Sequence, residues 1–410
     1  MSGAALSPAA RRAIVGLGVT QIIAWGSVYY VIGVIGPTLV EALGLSPAWI
    51  YGGFSASLAV SAIGAPMVGR AIDRIGGRRV MSAGSLVATL GLALCGSAQG
   101  AWSYGLACLA LGAAAALTLY DAAFAALVQI AGRNGRRAIT LLTLFGGFAS
   151  TVSWPLTTFL ADALGWRETY FVYAAAQIAL CLPIHWTVLA DAPDQRRFAA
   201  ESPAPAPEPA SEGELSGPAR RAAFWLFAIV LTVNSFVFSG LSVHFLAALD
   251  AIGLDRPTAV AVGMAIGPAQ VLGRVLEMLS GGRHEALTIG RASAAALPIG
   301  VACLFAVAGA PAAAFVFALA YGLANGLMTI AKGAVALALF GSRGYGEMLG
   351  RLSAPSLAAR AAAPILFATV IDAGGVMAMI ALSLAVAALG WAAMEGLTRL
   401  ARRARGAPVN

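Results

Sequence analysis

Along most of this chain, polar positions do not alternate with apolar ones; they collect at the ends of long apolar runs. Segments 14–40, 81–98 and 106–131 are apolar with at most one charge each. A helix that crosses a bilayer needs about 20 such residues. The pattern predicts twelve membrane helices, over 13–40, 47–69, 80–98, 102–131, 138–162, 166–189, 222–248, 257–279, 290–309, 311–340, 352–372 and 374–398. The first run follows Arg11 and Arg12, is too long for a cleavable signal and has no A-x-A site, so it reads as the first membrane helix.

The breaks between runs carry a repeat. Residues 69–79 read GRAIDRIGGRR, and 204 residues later 273–283 read GRVLEMLSGGR. Gly69, Arg70, Gly77 and Arg79 map onto Gly273, Arg274, Gly281 and Arg283, and Asp73 maps onto Glu277. Weaker echoes recur at offsets of 210–211 residues. Asp162 and Gly165 match Asp372 and Gly375, while Asp121 before Arg133 matches Lys332 before Arg343. A charged, Gly-rich turn repeated at half the chain length implies two related bundles.

Composition agrees with a membrane solvent. Hydrophobic residues make up 60% of the chain and charged residues 11%, against roughly 25% charged in soluble proteins. The mean hydropathy is +0.83. The net charge of +8 invites a nucleic-acid reading, but the basic residues do not form one face with polar or aromatic readers. Instead they fall in every second loop: Arg70 to Arg79, Arg133 to Arg137, Arg196 to Arg221, Arg283 and Arg291, Arg343 and Arg351, and the tail. The opposite loops hold Arg167 and Arg256. Arg retained on the cytoplasmic side places both termini there, in the inner membrane, and makes the helix count even. Residues 191–220 are Pro-rich and acidic, which predicts an extended cytoplasmic linker between a bundle at 1–190 and a second at 221–410. Cys95, Cys108, Cys181 and Cys303 lie inside apolar runs without a C-x-x-C pair. They read as packing residues, or alternatively as a soft-ligand site, rather than a disulfide framework.

These residues resemble the major facilitator superfamily. GRAIDRIGGRR is similar to that family's G-x-x-x-D-R-x-G-R-R signature, with Gly77 standing where Arg is frequent. The first helix (TQIIAWGSVYYVIGVIGPTLVEALGLS) and LGWRETYFVYA look like the bacterial branch allied to monocarboxylate porters. The resemblance implies an all-α fold of two pseudo-symmetric six-helix bundles and a cavity near the midplane lined by helices 1, 4, 7 and 10. It also implies alternating access by rocking, and a signature loop that locks one conformation. On that reading Gly69, Asp73, Arg74 and Arg79 form a cytoplasmic latch, Asp73 pairing with arginines and Gly76-Gly77 making the turn. Glu277 belongs to the second-half latch. Two departures stand out: Gln270 occupies the position of the acid expected four residues before the helix-8 Arg, and helix 1 has no Lys.

Ionisable residues inside the membrane cost roughly 2.5–3.5 kcal/mol on insertion scales and are functional candidates. Here they are Asp121, Lys332, Arg274, Glu277 and Arg360. Lys332 and Arg274 would supply a positive field for an anionic or polar solute, and Asp121 the group that couples transport to protons. Alternatively Asp121 and Lys332 pair as a gate, and Arg274 serves gating rather than binding. Gln21, Tyr29, Tyr30, Tyr120, Asn234 and Asn325 could orient a solute or bond between helices. Tyr29 and Tyr30 are adjacent, which points them to different sides. His244 is the histidine placed as a proton site, while His185 and His284, near cytoplasmic ends, are expected to be solvated or interfacial. In helix 5, Gly146, Gly147, Ala149 and Ser150 favour close helix approach and Pro155 weakens one turn.

The leading expectation is a secondary active transporter moving a small solute, most naturally an organic anion, with protons. It would act as a monomer in the lipid bilayer, without cofactor, metal or nucleic-acid partner. An exporter of a drug or toxic metalloid is the second transporter reading. A membrane enzyme would need clustered His and carboxylate ligands, which three scattered histidines do not provide. A transporter-like sensor would carry an output domain. The absence of G-x-x-x-x-G-K-[ST] excludes direct drive by ATP through that loop. The topology is testable with reporter fusions. A fluorescent protein at the C-terminus is expected to fluoresce and alkaline phosphatase there to stay inactive, whereas phosphatase inserted at Gly100 is expected to be active. The reverse pattern would invert the assigned topology.

Overall fold

A computed structural model describes residues 6–190, 215–280 and 285–404, and all regular structure among them is helical. Most of the expected linker, and the expected roles of Gly281, Arg283 and His284, lie outside the described residues. Ten helices of membrane length come first. They are α1 (Pro8–Leu43), α2 (Pro47–Ile75), α3 (Gly77–Gly96), α4 (Ala101–Ala131), α5 (Gly135–Leu164), α6 (Trp166–Val188), α7 (Gly217–Ala251), α8 (Arg256–Leu279), α9 (Ala286–Cys303) and α10 (Ala312–Phe340). The last helical stretch, Tyr345–Ala404, is 60 residues long and breaks at Gly375 (φ 74°, ψ −178°) into α11 (345–374) and α12 (376–404). That gives twelve apolar helices among the described residues.

Local sequence sets several helix starts. Ser7, Ser46 and Asp255 each precede a Pro in the first turn, and their side chains accept from the amides of Ala10, Trp49 and Thr258. A short polar side chain satisfies an unpaired amide there, and Pro costs nothing where no intrahelical bond is lost. Ends depend on glycine. Gly76 (φ 84°) alone separates α2 from α3. The Gly-Arg motif is therefore mostly helical and not a loop, and Gly77 begins α3 instead of sharing the turn. Gly165 (φ 98°) separates α5 from α6 in nearly the conformation that Gly375 takes between α11 and α12, a backbone state open chiefly to glycine.

The chain divides into two compact units. One comprises Met1–Pro209 with Ser342–Ala354, and the other Ala210–Gly341 with Pro355–Asn410. The opening turns of α11 therefore pack with the first unit. Leu215 leads directly into α7, its amide donating to the Leu339 carbonyl, and Arg220 donates to the Phe340 carbonyl.

Helices within each unit touch through small residues, as expected where lipid offers no hydrophobic drive for helix association. A Cβ on Gly112 of α4 would collide with the Ser57 carbonyl of α2, and one on Gly322 of α10 would meet the Ile266 carbonyl of α8. The two contacts stand 209–210 residues apart, so the internal repeat extends from turns to packing. Arg167, one of the two arginines on the minority side, donates to the Gly96 and Ala98 carbonyls at 2.8 Å each. It caps the C-terminus of α3, which accounts for its position against the charge pattern. Gly112→Ala is expected to destabilise the protein in detergent by about 1–3 kcal/mol through overpacking. Gly105→Ala, on the same helix with open space around it, should leave the melting midpoint unchanged or raised.

Candidate solute and gating sites

Two irregularities meet in the first unit. At its midpoint α1 winds into a π-turn over Trp25–Tyr30. Helix α4 breaks at Leu119, whose backbone is extended (φ −78°, ψ −171°), and restarts at Tyr120 with Asp121 in its first turn. The buried Gln21 of α1 donates from Nε2 to the Thr118 carbonyl at 2.7 Å, pairing a main-chain oxygen at the break. Non-helical backbone at membrane depth persists only where protein or a water-filled path satisfies it. The Asp121 carboxylate thus sits at a helix N-terminus, where negative charge is favoured. The repeat fails here, because α10 runs unbroken past Lys332.

The π-turn changes the expected aromatic arrangement. Its bonds run from residue i to i+5, as from the Val31 amide to the Gly26 carbonyl. Tyr30 thereby comes over Trp25, with centroids 6.0 Å apart, while Tyr29 keeps its helical i+4 approach at 5.1 Å. The two tyrosines do not diverge; their rings lie 5.4 Å apart, edge to face. Tyr120 packs on Trp25 at 5.3 Å, Phe54 of α2 on Tyr29 at 5.2 Å, and Phe124 stacks on Tyr120 at 5.1 Å. Trp25 Nε1 is shielded from solvent and has no hydrogen-bond partner among the described residues.

His185 is the main correction to the sequence reading. It is buried, not solvated: Nδ1 lies 2.9 Å from Ser85 Oγ and Nε2 lies 3.0 Å from Thr20 Oγ1. This polar link joins α6, α3 and α1. A second link runs from Gln177 Nε2 of α6 to Ser27 Oγ at 2.9 Å.

In the second unit Lys332 is half-buried in α10. Asn325, two turns earlier, donates from Nδ2 to Gln270 Oε1 of α8 at 3.0 Å. The residue that replaces the expected acid therefore serves as an interhelical acceptor. Arg274 and Glu277, one turn apart on α8, are both buried. In α11, Pro364 has no N–H for the Arg360 carbonyl four residues back. Ser239 Oγ of α7 donates to that carbonyl at 2.7 Å, and His244 Nε2 donates to the Pro364 carbonyl at 2.9 Å. His244 thus serves the backbone of α11. Cys95, Cys108 and Cys181 are buried and Cys303 is partly exposed. Among the described residues no three His, Cys, Asp or Glu side chains gather as a metal site.

The signature segment has a defined partner. Asp73 accepts from the amides of Gly346 (3.0 Å) and Glu347 (2.8 Å) in the first turn of α11, and Arg70 pairs with Glu347 at 3.4 Å. Gly69 and Gly346 allow this approach, since a Cβ on either would strike the other's backbone. The expected Asp73–arginine pairing is replaced by bonds to helix N-terminal amides, which offer donors and the positive end of a dipole. Arg74 and Arg79 are exposed, while Arg78 lies 4.0 Å over the Trp186 ring. Gln129 of α4, which the sequence did not single out, clasps the Gly76 turn. Its Nε2 donates to the Ile72 carbonyl at 2.9 Å, and its Oε1 accepts from the Gly77 amide at 3.3 Å.

The family model described as Major Facilitator Superfamily matches residues 17–303. No curated protein matches the chain in sequence. Among solved structures, the human organic anion transporter MFSD10 (TETRAN) is similar with a TM-score of 0.73 and 16% identity, over 95% of this chain and 100% of that one. The MFS transporter FucP, solved in the outward conformation, gives a TM-score of 0.66 and 14% identity, over 94% and 97%. At these identities the likeness speaks for the fold.

Replacing Asp73 with Ala is expected to speed hydrogen exchange of the Gly346 and Glu347 amides by about tenfold. That corresponds to about 1–2 kcal/mol for charge-assisted bonds that are partly solvent-screened. Glu347→Gln should leave those amides protected. Equal exchange in wild type and the Asp73 variant would remove Asp73 as their partner.

Proposed function

The chain belongs to the major facilitator superfamily and is a membrane transporter, and on that premise we propose that it moves a small organic anion across the inner membrane by proton-coupled alternating access. The observation that carries this reading is an ionisable group placed at an irregular point of a membrane helix. Asp121 opens the restarted half of α4, beside a backbone break that Gln21 pairs. A carboxylate at membrane depth is costly when charged and far less so when protonated. A proton taken up by Asp121 therefore lowers the cost of moving it between aqueous faces, which is the requirement for coupling.

Lys332 and Arg274, in the second unit, are the proposed sources of positive charge for the anion. Tyr29, Tyr120 and Asn325 are the proposed orienting groups. A protein described as an organic anion transporter shares this fold. We assign Gly69, Asp73, Arg74 and Arg79 to a cytoplasmic latch and Glu277 to its second-half counterpart. The charge map supports cytoplasmic termini. The bonds from the Gly346 and Glu347 amides to Asp73 support the latch reading, since breaking them would release the first turn of α11 from the end of α2.

Proteoliposomes under an imposed pH gradient, with a panel of organic acids, drugs and arsenite, test this reading. Uptake of at least one organic acid should accelerate with the gradient and collapse with a protonophore. Asp121→Asn should lose the response to the gradient while retaining solute exchange, and Lys332→Ala should reduce organic-acid uptake by more than tenfold. Wild-type behaviour of both variants would refute the site assignment, and transport indifferent to pH would refute proton coupling.

A further inference from the structure

Five partly exposed aromatic rings, Trp25, Tyr29, Tyr30, Phe54 and Tyr120, gather around the π-turn of α1 and the break in α4. A lipid-facing explanation does not fit. The same place holds an extended residue, a carboxylate, tyrosine hydroxyls and the buried Gln21, and polar or irregular backbone does not face hydrocarbon. The π-turn itself brings Tyr29 and Tyr30 together against Trp25. π-Turns within helices are rare and occur frequently at functional sites.

The second observation is the indole donor. Trp25 Nε1 is shielded from solvent and pairs with nothing among the described residues; one turn earlier on α1, Gln21 Oε1 is likewise buried without a partner there, while other polar atoms of this stretch are paired. Ser27 Oγ donates to the Ile23 carbonyl at 2.7 Å, and Gln21 reaches Thr118. A buried donor left without an acceptor is unfavourable, and in native structures such groups call for a ligand, ion or water. Edge-to-face and offset ring arrangements with centroids 5–6 Å apart accept a further planar ring in the same geometry. An acceptor on that solute would complete the indole N–H.

We propose that the transported solute carries a planar aromatic ring, seated among Trp25, Tyr29, Tyr30 and Tyr120, and an adjacent acceptor that takes the Trp25 Nε1–H bond. On the organic-anion reading, on which this deepening rests, the acceptor is a carboxylate and the substrate class is small aromatic acids.

The experiment compares matched solutes in proteoliposomes: benzoate, cyclohexanecarboxylate and benzylamine. Benzoate is expected to show a KM at least tenfold below that of cyclohexanecarboxylate. Trp25→Phe, which keeps a ring and removes the N–H, should raise the benzoate KM about tenfold while leaving the preference for the aromatic ring. Tyr29→Leu with Tyr30→Leu should bring the benzoate to cyclohexanecarboxylate ratio close to one. Melting midpoints near wild type show that these variants fold. If they do not fold, Trp25→Tyr, which likewise lacks the indole donor, replaces the first, and Tyr30→Leu alone replaces the second. Equal transport of the two acids would overturn the ring site and leave the organic-anion reading standing. Transport of benzylamine but of neither acid, sensitive to the same substitutions, would uphold the ring site and overturn the organic-anion reading. Benzoate transport indifferent to Trp25 and both tyrosines would overturn the proposal itself.

Discussion

In hydrocarbon a main-chain N–H or C=O has no water to pair with, and each one left open costs several kcal/mol. This constraint shapes most of the irregular features of the protein. At four of the points where a helix breaks, bends or ends, a side chain from another helix stands at the exposed group. Gln21 pairs the Thr118 carbonyl at the α4 break. Ser239 pairs the Arg360 carbonyl that Pro364 leaves open. Gln129 closes the one-residue turn at Gly76, and Arg167 covers two carbonyls at the end of α3. The helices are thereby tied together at the points where the backbone departs from regular geometry.

The same constraint gives those points their chemical character. An irregular backbone needs polar partners, and polar partners inside a membrane concentrate hydrogen bonding and charge. Asp121 and the aromatic group around Trp25 sit beside the α4 break, and Asp73 uses the unpaired amides that open α11 as its anion site. Helix N-termini act here in two ways. One carries an acid within its own first turn, and the other is gripped by an acid from a neighbouring helix.

Duplication explains which features come in pairs and which do not. Turn glycines and close helix contacts recur at an offset of 209–210 residues: Gly165 with Gly375, and Gly112 against Ser57 with Gly322 against Ile266. Those roles belong to folding a six-helix bundle and are needed twice. The break in α4 is absent from α10, and the acid on the one helix has a lysine as its near counterpart on the other, 211 residues on.

The sequence by itself determined the membrane solvent, twelve helices, two related halves and the side on which arginine collects. These follow from length, hydropathy and loop charge, quantities that add along a chain without reference to distant residues. It also marked Asp121, Lys332, Arg274 and the Gly-Arg motif, because charge in an apolar run stands out wherever the run folds. Only the tertiary structure decided partners. Asp73 met amides of α11 instead of arginines, since the end of α2 abuts a helix start 273 residues away. His185 lay between Ser85 and Thr20, not in solvent. Tyr29 and Tyr30 converged because a π-turn, invisible to a 3.6-residue period, adds a residue to that turn. Pro364 announced in sequence that a carbonyl would be left open, but not that Ser239 would pair it. A local rule can state what a backbone lacks, and only the packing of distant helices supplies it.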